Sequence, residues 1–339
     1  MSRAGRQTLV FERPPRVAAH CSIVGPKEGE GPLADDFDEI LADDLLGQKS
    51  WEAAESEMLR RCAVRAMREG GVTEGDVQAF LSGDLNDQLM ASGFAARQLC
   101  MPFLGLYGAC STFVEGLTLG AALVSAGYME NALCGASSHF CTAERQFRFP
   151  LELGTQRPPT AQWTATAAGV TLLRADDGGD GPVLRVKSGT LGRVVDMQVR
   201  DANHMGAAMA PAVCDCIAAH FADLARKPEA YDLVVTGDLG WIGRNLLLEL
   251  FQRADIDMPA DRLVDCGASL YYKEQDAHAG GSGCGCVASV SCGWIMKRME
   301  MGQLHRVLLS GSGAMLSPTS SQQGQSIPGI SYAVSMECE

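Results

Sequence analysis

The amino-acid sequence predicts an α/β protein with two similar halves. Segments typical of strands and of helices alternate along the 339 residues, which favours a layered architecture with largely buried sheets. A Gly-Asp-Leu turn follows a predicted strand twice, at 83–85 and at 237–239. Motifs that recur in the same order indicate an internal duplication. We therefore expect an N-terminal half at 1–174 and a C-terminal half at 175–339.

A second repeat supports the same duplication. Cys110 and Cys134 are 24 residues apart, as are Cys286 and Ser310, and a glycine follows the second member of each pair. In both copies the first residue lies at the start of a predicted helix and the second lies in the strand that returns from it. The two halves therefore share a strand–turn–helix–strand unit.

The elements of the N-terminal half are predicted from apolar patterning and from the residues between the apolar runs. Strands are predicted at 8–11, 17–24, 77–85 and 161–174, with a further strand that ends at 137–139. Helices are predicted at 51–68, at 87–98 and after Cys110. Lys49 or Ser50 precedes the first helix, and Asp84 or Asn86 is the expected cap of the second.

The C-terminal half repeats this alternation. Its predicted elements, in chain order, are a strand at 183–195, a helix at 205–226, a strand at 233–240, a helix at 287–301 and a strand at 305–311. The segment 26–44 in the first half carries eight acidic residues against Lys27. A calcium site is conceivable there, but the Asp-x-Asp-x-Asp-Gly spacing of a calcium loop is missing, so a solvated acidic loop is the preferred interpretation.

Composition excludes several classes of function. The net charge is −13 and Lys/Arg clusters are missing, which argues against a nucleic-acid partner. No run reaches about 18 uncharged apolar residues, and the first residues lack the apolar core of a secretory signal, so we expect an intracellular protein with no transmembrane segment. The 13 cysteines then predict a reducing compartment. Because C-x-x-C spacing is missing, we expect buried thiols and no metal site.

The segment GLYGACST at 105–112 is the most informative chemical motif. Its Gly-rich turn places Cys110 at the start of an apolar helix. The positive end of a helix dipole favours thiolate over thiol, so this position suits a nucleophile or the floor of an anion-facing pocket.

A duplicated α/β chain with this motif resembles the thiolase and ketoacyl-synthase superfamily. That superfamily packs two similar halves into a five-layered αβαβα body, with its reactive cysteine near the pseudo-twofold axis. Within it, the chain is similar to the stage V sporulation protein AD (SpoVAD) family of spore-forming bacteria. The segments that carry this resemblance are GPKEGEGPL at 25–33, SWEAAES at 50–56, the block at 137–164, DAHAGGSGCGC at 276–286 and the block at 312–330.

The resemblance implies a role in moving dipicolinic acid, or its calcium chelate, into the developing spore and in releasing it during germination. It implies a dipicolinate-binding component of a channel complex, held at the periphery of the forespore or spore inner membrane by integral-membrane partners. Thiolase-like bodies pair through the N-terminal half, so a homodimer is expected. No cofactor is expected, and calcium enters only as part of the ligand.

Enzymatic activity in this superfamily requires a nucleophile, a base and an oxyanion hole. Cys110 matches the nucleophile, and His278 lies in a turn similar to that of the superfamily's histidine. Ser310 or its neighbours replace a second cysteine, and Asp238 stands where His or Asn is usual. A serine hydroxyl does not shuttle protons at neutral pH without a dedicated base. We therefore expect a non-catalytic ligand pocket, with acyl transfer by Cys110 and His278 as the alternative.

Candidate ligand contacts follow from the chemistry of dipicolinate, a planar pyridine with two carboxylates. Guanidinium groups, imidazoles, hydroxyls and backbone N–H groups bind such anions. The predicted ligand-binding residues are Cys110, His139, Arg145, Arg148, His278, Ser310 and Ser312, and Arg157 lies in the same loop as Arg148. Each arginine could instead form a surface ion pair, and His139 could be a structural, hydrogen-bonded histidine.

Overall fold

The computed structural model of the chain describes residues 2–147, 157–175 and 183–338. Its strands are β1 (Ser2–Ala4), β2 (Thr8–Val10), β3 (Arg16–Val24), β4 (Glu39–Ile40), β5 (Ala79–Gly83), β6 (Phe103–Gly105), β7 (Asn131–Ser138), β8 (Trp163–Thr164), β9 (Ala167–Arg174), β10 (Leu184–Leu191), β11 (Leu233–Thr236), β12 (Leu263–Asp265), β13 (Gly281–Ser282), β14 (Arg306–Ala314) and β15 (Gly329–Cys338).

Helices connect most of these strands. They are α1 (Pro26–Gly29), α2 (Trp51–Glu69), α3 (Met90–Leu99), α4 (Thr112–Ser125), α5 (Phe140–Phe147), α6 (Met205–Leu224), α7 (Gly240–Arg253), α8 (Cys266–Ser269), α9 (Cys284–Val290), α10 (Met296–Glu300) and α11 (Pro318–Gln322). A π-helical segment, Ser291–Ile295, joins α9 and α10 into one continuous helix.

The strand order shows the duplication directly. One half of the sheet system runs β3-β9-β7-β5-β6 and the other runs β10-β15-β14-β11-β12. In each half the first two pairings are antiparallel and the two outer pairings are parallel. A single residue pair, Arg16 with Arg185, connects the inner edges of β3 and β10. The predicted α/β class with a duplicated arrangement of strands is confirmed.

The repeated motifs occupy equivalent places in the two sheets. Each Gly-Asp-Leu turn lies at the end of the fourth strand in the order of its half. This strand is β5 in one copy and β11 in the other. Cys134 lies in β7 and Ser310 lies in β14, and both strands return from a central helix, α4 or α9. The repeated spacing therefore reflects a repeated structural unit.

Five layers result from this packing. Helices α4 and α9 lie between the two sheets, α2 and α3 cover the outer face of the first sheet, and α6 and α7 cover the outer face of the second. Three clusters of buried apolar residues fill the spaces between these layers. The central cluster contains Cys110, Phe113 and Leu117 together with residues of α9. Cys110 is therefore held within the buried central cluster between the two sheets.

Several predicted boundaries differ from those observed. The first strand of the C-terminal half ends at Leu191, and the helix predicted from 287 begins at Cys284. The helix predicted from 87 begins at Met90, because Asp84 turns back to accept hydrogen bonds from the backbone N–H and hydroxyl of Ser92 at 2.7 and 2.6 Å. Ser50 caps α2, as predicted, by accepting a hydrogen bond from the N–H of Ala53.

The acidic segment 26–44 is tied to the body instead of forming an open loop. The Asp38 carboxylate accepts hydrogen bonds from the N–H and hydroxyl of Ser22 and pairs with Lys297 at 2.9 Å. These partners lower the pKa of Asp38 although burial opposes them. Across residues 2–147, 157–175 and 183–338, no cluster of three or more His, Cys, Asp or Glu side chains is arranged to hold a metal ion.

Helix α6 is long and apolar enough to cross a membrane by length and composition alone. In the structure, 61% of its most apolar window is buried, because the helix packs on β14, β15 and α7. Its apolar character is therefore accounted for by its position in the second outer layer.

The central helix provides a stability test. Phe113 of α4 is fully buried, so Phe113→Ala should lower the free energy of unfolding by about 3–5 kcal/mol. Leu119→Ala on the same helix changes a side chain that is 36% exposed and should cost about 1 kcal/mol or less. Urea unfolding followed by circular dichroism measures both values. Equal losses for the two variants would contradict the assigned central layer.

Candidate functional site

Cys110 lies at the junction of the two halves, in a tight turn before α4. Ala109 takes a φ of 51°, and the short 3-10 helix Ala109–Ser111 continues directly into α4. Hydrogen bonds from the hydroxyls of Ser111 and Thr112 to the carbonyl oxygens of Gly108 and Ala109 hold this turn. A non-glycine residue with positive φ is costly, so the surrounding structure must enforce this conformation. The turn fixes the thiol at the bottom of a cavity, where it is 5% exposed.

A buried carboxylate, Asp238, lies beside the thiol. It follows β11 and accepts hydrogen bonds from the hydroxyl of Ser312 at 2.7 Å, the hydroxyl of Ser282 at 3.1 Å and the N–H of Gly283 at 2.9 Å. The sulfur of Cys110 lies 3.9 Å from the Ser282 hydroxyl oxygen. Cys110, Asp238, Ser282 and Ser312 therefore form one polar cluster, named here the Asp238 cluster.

The electrostatics of this cluster disfavour a thiolate. Burial raises the pKa of the Cys110 thiol well above its ordinary value, and the negative charge of Asp238 raises it further. The helix dipole opposes this shift, but it contributes only about 0.3–1 kcal/mol, less than one pKa unit. The expectation that α4 activates Cys110 is therefore outweighed by burial and by the neighbouring carboxylate. Burial also raises the pKa of Asp238 itself.

The cavity above Cys110 has a volume of about 360 Å³. Such volumes fall within the range of small-molecule sites, about 300–1,000 Å³. Its described walls combine apolar side chains with a small number of amides and hydroxyls. The polar lining residues are Asp87, Tyr107, Gln162, Thr164, Asn203, Ser282 and Ser317. Lys, Arg and His do not occur among the described residues that line it.

The lining comes from both halves. Leu85 and Asp87 follow β5, Ala143 and Phe147 lie on α5, and Gln162 and Thr164 surround β8. The C-terminal half contributes residues before and at the start of α6, Ser282 of β13 and the end of β14 with the loop that follows it. These residues are Ala202, Asn203, Met205, Ser282, Ala314, Met315, Leu316 and Ser317. The site therefore depends on the packing of the two halves against each other.

A family model with the description Stage V sporulation protein AD (SpoVAD) matches residues 5–337. The chain belongs to the SpoVAD family. The Stage V sporulation protein AD of Bacillus subtilis strain 168 is 40% identical over 337 residues, which cover 99% of this chain and 98% of that protein.

Solved structures place this family in the thiolase-like fold. An OleA variant of Xanthomonas campestris bound with cerulenin superposes with a TM-score of 0.61 at 14% identity, covering 97% of both chains. The 3-oxoacyl-[acyl-carrier-protein] synthase III of Aquifex aeolicus superposes with a TM-score of 0.58 at 10% identity, covering 95% of this chain and 99% of that one. At these identities the likeness establishes the fold.

Of the predicted ligand-binding residues that the structure describes, only Cys110 lines the cavity. Ser312 lies behind it and donates to Asp238. Ser310 is buried in β14 and shares a hydrogen bond of 2.9 Å with Ser331 of β15. His278 has a φ of 50°, and its ring lies 3.8 Å from the carboxylate of Asp276, outside the lining. The Gly-rich turn that contains His278 contributes Ser282 to the site instead.

The remaining predicted residues have other partners. Nε2 of His139 lies 2.8 Å from the Asp44 carbonyl oxygen, its Nδ1 accepts from the N–H of Cys141, and burial lowers its pKa. Arg145 forms an ion pair with Glu52. Arg157 pairs with Glu144 at 2.6 Å and lies over the ring of Trp163. Arg148 falls outside the described residues. Ligand contact by these side chains stays a prediction.

Sequence reasoning missed most of the polar lining. Gln162 and Asn203 are single amides in irregular segments, and no motif distinguishes them. Gln162 donates from its amide to the carbonyl oxygens of Asp238 and Gly281, which links β8 to the turn beneath Cys110. Asp238 had two signals in the sequence: the Gly-Asp-Leu repeat marked its turn after β11, and the family resemblance placed it where His or Asn is usual.

Removing the Asp238 charge should activate Cys110. We expect Asp238→Asn to increase the rate of Cys110 alkylation by iodoacetamide at pH 8 by about tenfold, because a neighbouring like charge shifts a pKa by roughly one unit or more. Peptide mass spectrometry measures this rate, with the exposed Cys100 in the same chain as the internal control. An unchanged Cys110 rate with normal Cys100 labelling would contradict the proposed charge effect.

Proposed function

We propose that this chain is a non-catalytic binding protein for dipicolinic acid or its calcium chelate, and that the cavity above Cys110 is the binding site. The observation that carries the proposal is a small-molecule cavity whose buried thiol is kept protonated in a SpoVAD-family chain. A site built to hold a ligand needs no activated nucleophile. The family resemblance supports the choice of dipicolinate.

The lining offers contacts suited to this ligand. A pyridine ring is planar and apolar on both faces, and Leu85, Tyr107, Ala143 and Phe147 provide apolar walls. Its carboxylates need donors, which the Asn203 amide and the Thr164 hydroxyl can supply. Because the described lining carries no cation, calcium within a chelate would offset the ligand's own charge. Titrations in EDTA and in calcium separate the free acid from the chelate.

Acyl transfer is the alternative function for a thiolase-like fold. It requires a thiolate at neutral pH, whereas burial and Asp238 raise the pKa of Cys110. The only predicted histidine partner, His278, lies outside the lining. Incubation with acetyl-CoA followed by intact-protein mass spectrometry tests this alternative: an acyl adduct on Cys110 would favour an enzyme.

We also propose that the protein works at the periphery of the forespore or spore inner membrane, beside integral-membrane components of the same channel complex. Family membership supports a sporulation role. The apolar surface of α6, which could otherwise suggest insertion, is mostly used within the outer layer. Membrane fractionation of sporulating cells with and without those components tests the proposal; equal membrane recovery in both would contradict it.

Filling the cavity should weaken ligand binding. Ala202→Trp places an indole among the lining residues and should weaken dipicolinate binding by more than about tenfold, because the ligand and the indole compete for the same volume. Ala126→Trp, at the exposed end of α4, is the matched control and should bind as the unchanged protein does. Isothermal titration calorimetry measures all three proteins. No heat from the unchanged protein at millimolar dipicolinate would overturn the proposed function.

We propose further that the chain forms a homodimer through β6. This strand ends its sheet and pairs only with β5 within the described residues. Leu104 of β6 is 43% exposed, and Met90 and Phe94 of the neighbouring α3 are exposed as well. An apolar edge strand is a ready template for pairing with a second copy.

Leu104→Arg should therefore disrupt the dimer. Sedimentation velocity of the unchanged protein should give twice 36.0 kDa, and the variant should give a single chain mass. Leu191→Arg, at another exposed leucine, is the matched control and should remain dimeric. A monomeric unchanged protein, or a dimeric Leu104→Arg variant, would contradict this interface.

A further inference from the structure

Glu55 of α2 is a fully buried carboxyl group that contacts three separate elements. Oε2 accepts hydrogen bonds from the side-chain amide of Asn86 at 3.1 Å and from the hydroxyl of Thr142 at 3.0 Å. Oε1 accepts from the hydroxyl of Ser137 at 3.1 Å. The loop after β5, helix α5 and the end of β7 therefore all meet at this side chain.

Two of these elements form the cavity wall. Asn86 lies between Leu85 and Asp87, and Thr142 precedes Ala143, all three neighbours being lining residues. Further hydrogen bonds hold the same wall: the Tyr107 hydroxyl and the Gln146 amide both donate to the carbonyl oxygen of Leu85. Glu55 thus lies directly behind one side of the proposed ligand site.

The carboxyl of Glu55 has no cationic partner in the described part of the chain. Several charged or titratable groups surround it. From the N-terminal half these are Asp84 after β5, His139 before α5, and the ion pair of Arg145 with Glu52. Helix α9 contributes Cys284. Arg145 is already paired with Glu52. Asp84, also buried, accepts hydrogen bonds from two N–H groups and the Ser92 hydroxyl, which suits an ionised carboxylate.

Two buried carboxyl groups without a cation are not both ionised easily, because each charge loses its hydration and repels the other. Burial and the Asp84 charge raise the pKa of Glu55 to about 8. A proton on Glu55 also has an acceptor: the Thr142 hydroxyl donates to the carbonyl oxygen of His139 at 3.0 Å, so its oxygen can accept from the carboxyl.

We propose that Glu55 is a positioning residue whose protonated form holds the loop 84–87 and α5 against the cavity, and whose ionisation loosens this wall and weakens ligand binding. The inference rests on the proposed function of the cavity. Ionised Glu55 and Asp84 repel each other across Asn86, and this repulsion acts on the loop and the helix that line the site. Binding is then strongest when Glu55 carries its proton and falls as the pH rises through its pKa.

The test uses Glu55→Gln, which keeps the size and a hydrogen-bonding amide but cannot ionise. Dipicolinate affinity of the unchanged protein, measured by calorimetry from pH 6 to pH 9.5, should fall by about tenfold per pH unit above the transition, the limit for release of one proton. Glu55→Gln should remove this fall. A merely structural role predicts weaker binding by Glu55→Gln at every pH with the same pH profile, and that result would overturn the proposal.

Amide hydrogen exchange of residues 84–92, corrected for intrinsic base catalysis, provides a readout without ligand. Protection should drop between pH 7 and pH 9 in the unchanged protein and stay constant in Glu55→Gln. Asp84→Asn removes the repelling charge and should abolish the drop, which keeps the test intact if Glu55→Gln fails to fold. If dipicolinate does not bind at any pH but the exchange still changes with pH, the proposed function is wrong and the proposed role of Glu55 is supported. If the exchange does not change with pH, the proposed role of Glu55 is wrong.

Discussion

The Asp238 carboxylate beneath Cys110 is the interaction on which the site depends. It joins β11, β14 and the turn before α9 through hydroxyl and N–H donors, and it places a negative charge beside the buried thiol. Burying a carboxylate costs free energy of folding unless several donors bind it. These three elements must therefore keep their positions relative to one another. The same contact that organises the centre of the molecule also keeps the sulfur protonated.

This arrangement keeps the thiolase-like fold but disfavours the thiolate that thiolase-like chemistry requires. The architecture retains a cysteine at the head of a central helix and a cavity formed by both halves. The groups around the thiol are hydroxyls and a carboxylate, which can orient a ligand but do not favour a thiolate. A fold does not determine the chemistry of its site, so a thiolase-like fold is compatible with the binding role proposed above. Glu55 adds a proton-sensitive support behind the cavity wall.

The fold could be predicted from sequence because its signals are periodic and repeated. The Gly-Asp-Leu turns and the equal spacings to Cys134 and Ser310 are properties of the chain itself. The site was harder to predict, because its contacts depend on the tertiary packing of irregular segments. His278 and Ser282 lie in one Gly-rich turn, and the folded backbone, with a φ of 50° at His278, places Ser282 beside Cys110. The order of residues in the turn does not reveal this choice. Arg145 was a plausible anion ligand until α5 placed it beside Glu52.

The central claim is that the cavity above Cys110 holds dipicolinate, and a crystal structure of the protein grown with this ligand tests it most directly. The account predicts electron density for a planar ring in this cavity, with its carboxylates near the Asn203 amide and the Thr164 hydroxyl and no bond to the sulfur. Density at another place on the protein, or a cavity filled only by solvent at saturating dipicolinate, would contradict it.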